Sequence, residues 1–275
     1  MTPVGQDRAF LVALDELRTL ASTDIPVLIE GETGTGKEVL AQYLHELSPR
    51  ARQPFVGAHC AALPVELFES ELFGHIRGSF TGAMLARSGL MRAAHRGTLL
   101  LDDLSDLPLS CQAKLLRPLQ EGEVRPVGSD RPQMVDVRVV ATSNRAIAPM
   151  VDRGDFRADL FFRLRSGLVT IPPLRQRPGD PTLLARHFLG RLGFELDPGA
   201  AEVLEAYDWP GNVRELEHAV ARIAAFVSGS VVTKNDVLAR LVPVARGADT
   251  PLERRLRTAR GTRGRPSCGR VPGVR

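Results

Sequence analysis

Gly31, Gly34 and Gly36 stand just ahead of Lys37 in the segment GETGTGKE, and the spacing G-x-x-x-x-G-K is matched in full. Glycines so placed let the backbone turn tightly and aim its N–H groups at phosphate, while the lysine reaches β- and γ-phosphates. The whole loop, Gly31, Glu32, Thr33, Gly34, Thr35, Gly36, Lys37 and Glu38, is therefore a candidate cradle for ATP. Position 38 is Glu where such loops commonly carry a Ser or Thr for Mg²⁺, so a carboxylate or a water takes that place, or Asp102 does more of the work. Asp102 and Asp103 follow the apolar stretch 98–101, and a carboxylate leaving a strand's end can hold Mg²⁺ directly or through water. Asp103, as the second acid, would orient the attacking water. Asn144, closing a third apolar run, could bond the γ-phosphate or that water. Arg157 and Arg163, in FRADLFFRL, either reach an ATP on a neighbouring subunit to stabilise transition-state charge or form plain surface salt bridges. Arg214, in WPGNVREL, opens a helix from which it could touch the phosphates.

Rigid elements must position these groups. VLIE, Val27–Glu30, fits a buried strand, and the glycine loop leads from it into Val39, Leu40, Tyr43, Leu44 and Leu47 at helical spacing. Ser48-Pro49 ends that helix. Residues 98–101 and 135–142 read as two more buried strands, the second running into Ser143-Asn144. Strands alternating with helices predict an α/β fold, a mostly parallel sheet covered on both faces, over residues 1–174. After Pro172-Pro173 the strand signal stops. Asp180-Pro181 supplies an N-cap and first-turn proline, and residues 198–207, 212–227 and 234–241 read as helices, so 175–243 is expected to be a small α-helical domain.

Composition narrows the class. A hydrophobic content of 43% over 275 residues is enough for one large domain and a smaller one. No stretch approaches the roughly 20 apolar residues of a membrane helix, and the start lacks a signal-peptide apolar run, so a cytoplasmic protein is expected. Cys60, Cys111 and Cys268 are scattered and odd in number, which fits neither a disulfide framework nor a paired zinc site. The net charge of +4 is unevenly held: residues 246–275 carry nine Arg against Asp249 and Glu253, net +7, leaving −3 for residues 1–245. Basicity thus gives no argument for a DNA-binding surface on the body. The Arg-, Gly- and Pro-rich segment 244–275 lacks apolar periodicity and is expected to be disordered.

GETGTGKE, ESELFGH, GSFTGA, LPLSCQAKLLRPLQEGEVRPVGSD, FRADLFFRL, IPPLRQRPGD and WPGNVRELEHAV occur here in one order. In that order the chain resembles the AAA+ central domain of the bacterial sigma-54-dependent transcription activators over about residues 4–243. The resemblance implies a P-loop AAA+ sandwich followed by an α-helical lid, a ring that is a hexamer, ATP with Mg²⁺ between subunits, and ATPase activity that opens a closed polymerase–promoter complex. It matches Glu38 to the family's own Glu. It assigns Arg157 and Arg163 to the finger positions and Arg214 to the phosphate-sensing arginine of the lid. Gly78, Ser79, Phe80, Thr81, Gly82 and Ala83 match the loop that touches the sigma-54 factor; two glycines around an aromatic make a mobile hairpin tip.

Several residues depart from the family pattern. Asp103 stands where the family has Glu, one methylene longer, and a displacement on the order of 1 Å can cost ~100-fold in rate. His59, in GAHCAAL, replaces the usual Asn that pairs with that Glu and relays nucleotide state to the loop. His59 is the candidate switch. A shorter acid with a longer imidazole is either a compensating exchange or the mark of a slow or regulated ATPase, whose alternative function is a nucleotide-binding regulatory module with little turnover. Pro118 falls inside a helix begun near Pro108, where a proline costs ~3 kcal/mol and predicts a kink. Ile76 takes a usually acidic position beside the loop. The sequence leaves no room for a receiver or ligand-sensing domain ahead of residue 4, so control is expected from elsewhere. Residues 246–275 show no helix-turn-helix pattern; their arginines bind phosphates loosely, or they are the altered end of a truncated gene product.

Overall fold

The computed structural model describes residues 2–241. In chain order its elements are α1 (Arg8–Ala21), β1 (Val27–Glu30), α2 (Lys37–Glu46), β2 (Phe55–His59), α3 (Phe68–Phe73), β3 (Gly74–His75), β4 (Arg87–Ser88), α4 (Leu90–Ala93), β5 (Thr98–Asp102), α5 (Leu109–Glu121), β6 (Glu123–Val124), β7 (Gln133–Met134), β8 (Arg138–Ser143), α6 (Ala148–Arg153), α7 (Ala158–Leu164) and β9 (Gly167–Thr170). They continue with α8 (Asp180–Arg191), β10 (Glu195–Leu196), α9 (Pro198–Ala206), α10 (Asn212–Ala224), β11 (Val231–Val232) and α11 (Lys234–Leu241).

β2, β5, β8, β1 and β9 pair in that order into one sheet, every neighbour parallel. Successive residues of a strand face opposite sides. Leu28, Leu99, Leu101, Val139 and Ala141 therefore join a core on one face with α3, α5 and α7. Val27, Ile29, Leu100 and Val140 join a second core on the other with α1 and α2. Both faces being buried explains why β1, β5 and β8 read as continuous apolar runs.

The described chain forms two compact units. The first takes in residues 2–180 and 210–215 and the second 181–209 and 216–241. The second unit is helical apart from the two-residue pairing of β10 with β11. Asp197 caps α9, accepting from Gly199 and Ala200 N–H groups ahead of Pro198. Trp209 is fully buried and donates its indole N–H to the Leu204 carbonyl at 2.9 Å.

Several boundaries differ from expectation. The strand expected over 135–142 begins at Arg138, because the Val135 N–H bonds the Gly122 carbonyl and the Asp136 carbonyl accepts from Arg96. Asp180 does not act as the expected side-chain cap. Its carboxylate accepts from the Gln6 and Asp7 N–H groups and forms a buried ion pair with Arg177, itself stacked on Phe10 at 3.7 Å. α5 runs on through Pro118 to Glu121, and Gly122 N–H closes on the Pro118 carbonyl. The proline thus occupies the last turn. Segment 244–275, with its expected disorder and Cys268, lies outside the described residues.

Candidate nucleotide site and partner loop

The strand β1 delivers the loop and α2 receives it. Gly31 N–H bonds the Ser143 carbonyl of the neighbouring strand, which ties the loop's entry to the sheet. Gly34 and Gly36 have φ of +81° and +94°, a region that a Cβ makes costly. A Cβ on Gly34 would also run into the Gly211 carbonyl. Thr35 is buried and gives its hydroxyl to the Glu32 carbonyl at 2.8 Å.

Lys37 is buried at 7% exposure, with Nζ donating to the carbonyls of Gly31 at 2.8 Å and Glu32 at 3.2 Å. Burial lowers its ammonium below the ordinary lysine value, against the pull of Asp103 and Asp102 and with the push of Arg214. A partly desolvated cation curled into a glycine loop suits an incoming anion better than a solvated one. Glu38, in the first turn of α2, is exposed.

β5 brings its acids alongside. One hydroxyl orients both: Thr142 Oγ1 donates to Asp102 Oδ1 at 2.6 Å and accepts from the Asp103 N–H at 3.0 Å. Asp103 has φ +54° and ψ +50° as the chain leaves the strand. Burial first, and the Asp102 charge second, raise its carboxyl above the ordinary value. His59 lies directly beside Asp102 in the parallel register of β2 and β5, and its Nδ1 is 2.8 Å from Asp102 Oδ2. This corrects the sequence-based pairing of His59 with the second acid, because register places it against the first. Asn144 accepts from the Ser105 hydroxyl at 2.9 Å. Cys60, next to His59, is buried and its thiol is pushed up to about 12, chiefly by burial.

The arginines divide. Arg214 gives its backbone N–H to the Gly34 carbonyl at 3.2 Å, so it sits on the glycine loop. Arg157 and Arg163 are exposed on α7 or just before it. Arg157 clasps Asp159 through Nη2 at 2.7 Å, and Arg163 donates to the Leu119 carbonyl at 3.1 Å. Within the chain Arg157 thus makes the surface salt bridge that its sequence spacing also allowed.

The β3–β4 hairpin carries segment 78–83. Gly78 N–H bonds the Ala83 carbonyl at 2.8 Å, and Ala83 N–H bonds that of Phe80 at 3.0 Å. Phe80 is 38% exposed and packs edge-on against His75, centroids 5.1 Å apart. His75 is held at both nitrogens, by Ser70 at 2.8 Å and by the Leu85 carbonyl at 2.9 Å. Ala83 is buried. The most exposed apolar side chains here are Met84 at 81% and Leu85 at 77%, which the sequence reading passed over.

Sequence reasoning also missed the braces of the glycine loop. Asn212, fully buried with φ +54°, donates to the Thr33 carbonyl at 3.0 Å and to Glu32 Oε2 at 3.2 Å, and accepts from the Leu174 N–H at 2.8 Å. Arg175 pairs with Glu32, Nη1 to Oε2 2.7 Å. These partners lie 38 to 180 residues apart in the chain, and no local pattern marks them.

The chain matches the sigma-54 interaction domain over residues 4–170 and the AAA+ ATPase lid domain over residues 175–252. It is 50% identical over 242 residues to the nitric oxide reductase transcription regulator NorR2 of Cupriavidus necator, covering 86% of this chain and 46% of the relative. It is 53% identical over 214 residues to the anaerobic nitric oxide reductase transcription regulator NorR of Citrobacter koseri, covering 75% and 42%. The chain thus spans less than half the length of these curated relatives. Among solved structures it is similar to NtrX from Brucella abortus in complex with ATP, with TM-score 0.80, 29% identity and coverage of 95% of this chain and 62% of that one.

Proposed function

This chain belongs to the family of bacterial sigma-54-dependent transcription regulators, of which it holds the AAA+ sigma-54 interaction domain, and from that premise we propose that it hydrolyses ATP to convert a closed sigma-54 polymerase–promoter complex to an open one. The observation that carries the reading is the buried Lys37 ammonium, curled into a glycine loop beside two acids, in one unit with the hairpin that bears Phe80. The similar structure in complex with ATP supports nucleotide binding by a chain of this fold.

In this reading the Gly31–Glu38 backbone and Lys37 bind the triphosphate, and Arg214 adds a charge from its place on Gly34. Mg²⁺ supplies charge neutralisation on the phosphates when bound. Asp102 would hold it, since Thr142 already orients its carboxylate through Oδ1, with Oδ2 released by His59 to do so. Asp103 orients water, with Asn144 near by. Arg157 and Arg163 serve a neighbouring subunit's ATP in a hexameric ring, after Arg157 lets go of Asp159. Segment 78–83 grips the sigma-54 factor, which places the protein in the cytoplasm.

The test is phosphate release and open-complex formation on a sigma-54 promoter by the purified chain. Both are expected, and absence of both where the ring assembles would sink the proposal. Asp103→Glu restores the longer acid and is expected to raise turnover by ~10–100-fold, the scale of an ångström-sized misplacement. The His59–Asp102 bond favours one second reading, a regulatory module that binds ATP without turning it over. Tight ATP binding with negligible phosphate release in the parent would select it.

A further inference from the structure

We propose that His59, Asp102 and Asp103 form a mixed nitrogen–oxygen site that takes a first-row transition dication, Zn²⁺ above all, in preference to Mg²⁺. The inference rests on reading the end of β5 as the metal-binding side of the nucleotide site. It adds a ligand class that an all-oxygen Mg²⁺ site does not contain.

Three observations converge on it. Each of the three residues can offer one donor atom such that all three atoms lie within 4.8 Å of one another. His59 Nδ1 and Asp102 Oδ2 are already 2.8 Å apart, whereas two ligands at about 2.1 Å on a shared ion stand about 3.0–3.4 Å apart, so a small opening admits the ion. The pair is also built into the fold, since β2 and β5 run in a register that sets His59 beside Asp102.

The ligands also have hydrogen-bond partners behind them. The Thr142 hydroxyl orients the Asp102 carboxylate through Oδ1 and ties down the Asp103 backbone N–H beside it. Outer partners of this kind orient ligands and raise affinity. Two carboxylates bring the negative charge, and His59 is 55% exposed, which leaves an entry path from solvent. Cys60 is no competitor as a ligand, because its sulfur is buried and turned to the Ala58 carbonyl at 3.8 Å.

Donor chemistry sets the selectivity. Mg²⁺ prefers oxygen and keeps its waters, whereas an imidazole nitrogen favours Zn²⁺ and its first-row neighbours. Three protein ligands with one open position is the pattern of zinc sites that bind an exogenous group. Asp102 is the acid that the proposed function also assigns to the nucleotide's metal, so the two ions would compete for it. Zinc held there would occupy the place where Asp102 meets the nucleotide's metal, giving the domain a metal-dependent brake.

The test uses the purified full chain without nucleotide. Zn²⁺ is titrated against a chromophoric chelator in a large excess of Mg²⁺, and Co²⁺ is used as a spectroscopic probe. One Zn²⁺ per chain is expected, with Co²⁺ absorption bands of nitrogen–oxygen ligation. His59→Asn should weaken Zn²⁺ by at least ~10-fold, the loss that even an outer-shell change causes, and abolish the Co²⁺ bands. Thermal unfolding without metal shows that the variant folds, and Asp102→Asn gives an independent second loss. Absent binding, binding that Mg²⁺ displaces, or equal binding by parent and His59→Asn overturns the proposal. If zinc fails while MgATP binds the parent, the functional reading survives; if MgATP also fails to bind, that reading falls with it.

Discussion

Glu30 shows how a single residue beside the glycine loop carries a cost of its own. It is 8% exposed, accepts the Ile147 N–H at 2.8 Å, and burial holds its carboxyl above the ordinary carboxylate value although that bond pulls it down. The folded chain therefore keeps this proton more tightly than the unfolded one. Stability from this group is full below the unfolded value and falls as pH rises through the raised folded value. Glu30→Gln keeps an acceptor for Ile147 and removes the charge. Urea unfolding across that pH range is expected to show the variant gaining on the parent as pH rises and then levelling; a difference independent of pH would refute it. At the same scale, the glycines, Lys37 and the acids were legible because their spacing is local. The His59–Asp102 bond was not. Resemblance pointed His59 toward Asp103, and only the register of a strand that the sequence hides could redirect it.

That strand, β2, illustrates what elements conceal. Of its five residues only Ala58 is buried, and Gly57 interrupts any apolar pattern, as befits the sheet's edge. β9, at the other edge, alternates buried and exposed over four residues and also escaped notice. The central strands β1, β5 and β8 announced themselves because both their faces are covered. The start of the helix expected from residue 198 was legible, with Asp197 capping it, whereas Asp180 was misleading, its partners Gln6 and Asp7 being more than 170 residues away. The first turn of α10 bears the least legible brace. Asn212→Ala would strip Leu174 N–H of its acceptor and free the Thr33 carbonyl. A buried group so orphaned costs ~1–3 kcal/mol, and Ala at a left-handed φ adds ~1 kcal/mol. Chemical denaturation should show that loss together with weaker ATP binding; a variant as stable as the parent would show that the brace contributes nothing.

For the whole molecule, charge and composition bear on partners more than on fold. The body, residues 1–245, is net negative, and no helix among the described residues is long and apolar enough to cross a membrane. A sheet domain over residues 1–174 and a helical one over 175–243 were expected, whereas the compact units divide after Asp180. The return of residues 210–215 to the first unit was not foreseen, because it depends on Asn212 and Arg214 meeting the glycine loop across the sequence. What joins the scales in the proposed function is a coupling: nucleotide held at Lys37 would change what the hairpin of Phe80, Met84 and Leu85 offers a partner. The most direct measurement is the affinity of labelled sigma-54 factor for the purified chain with ATP, with ADP and without nucleotide, repeated with Lys37→Ala and Phe80→Ala. Affinity is expected to depend on nucleotide in the parent, to lose that dependence in Lys37→Ala, and to collapse in Phe80→Ala while ATP binding persists. Equal affinity in all three nucleotide states of the parent would contradict the coupling.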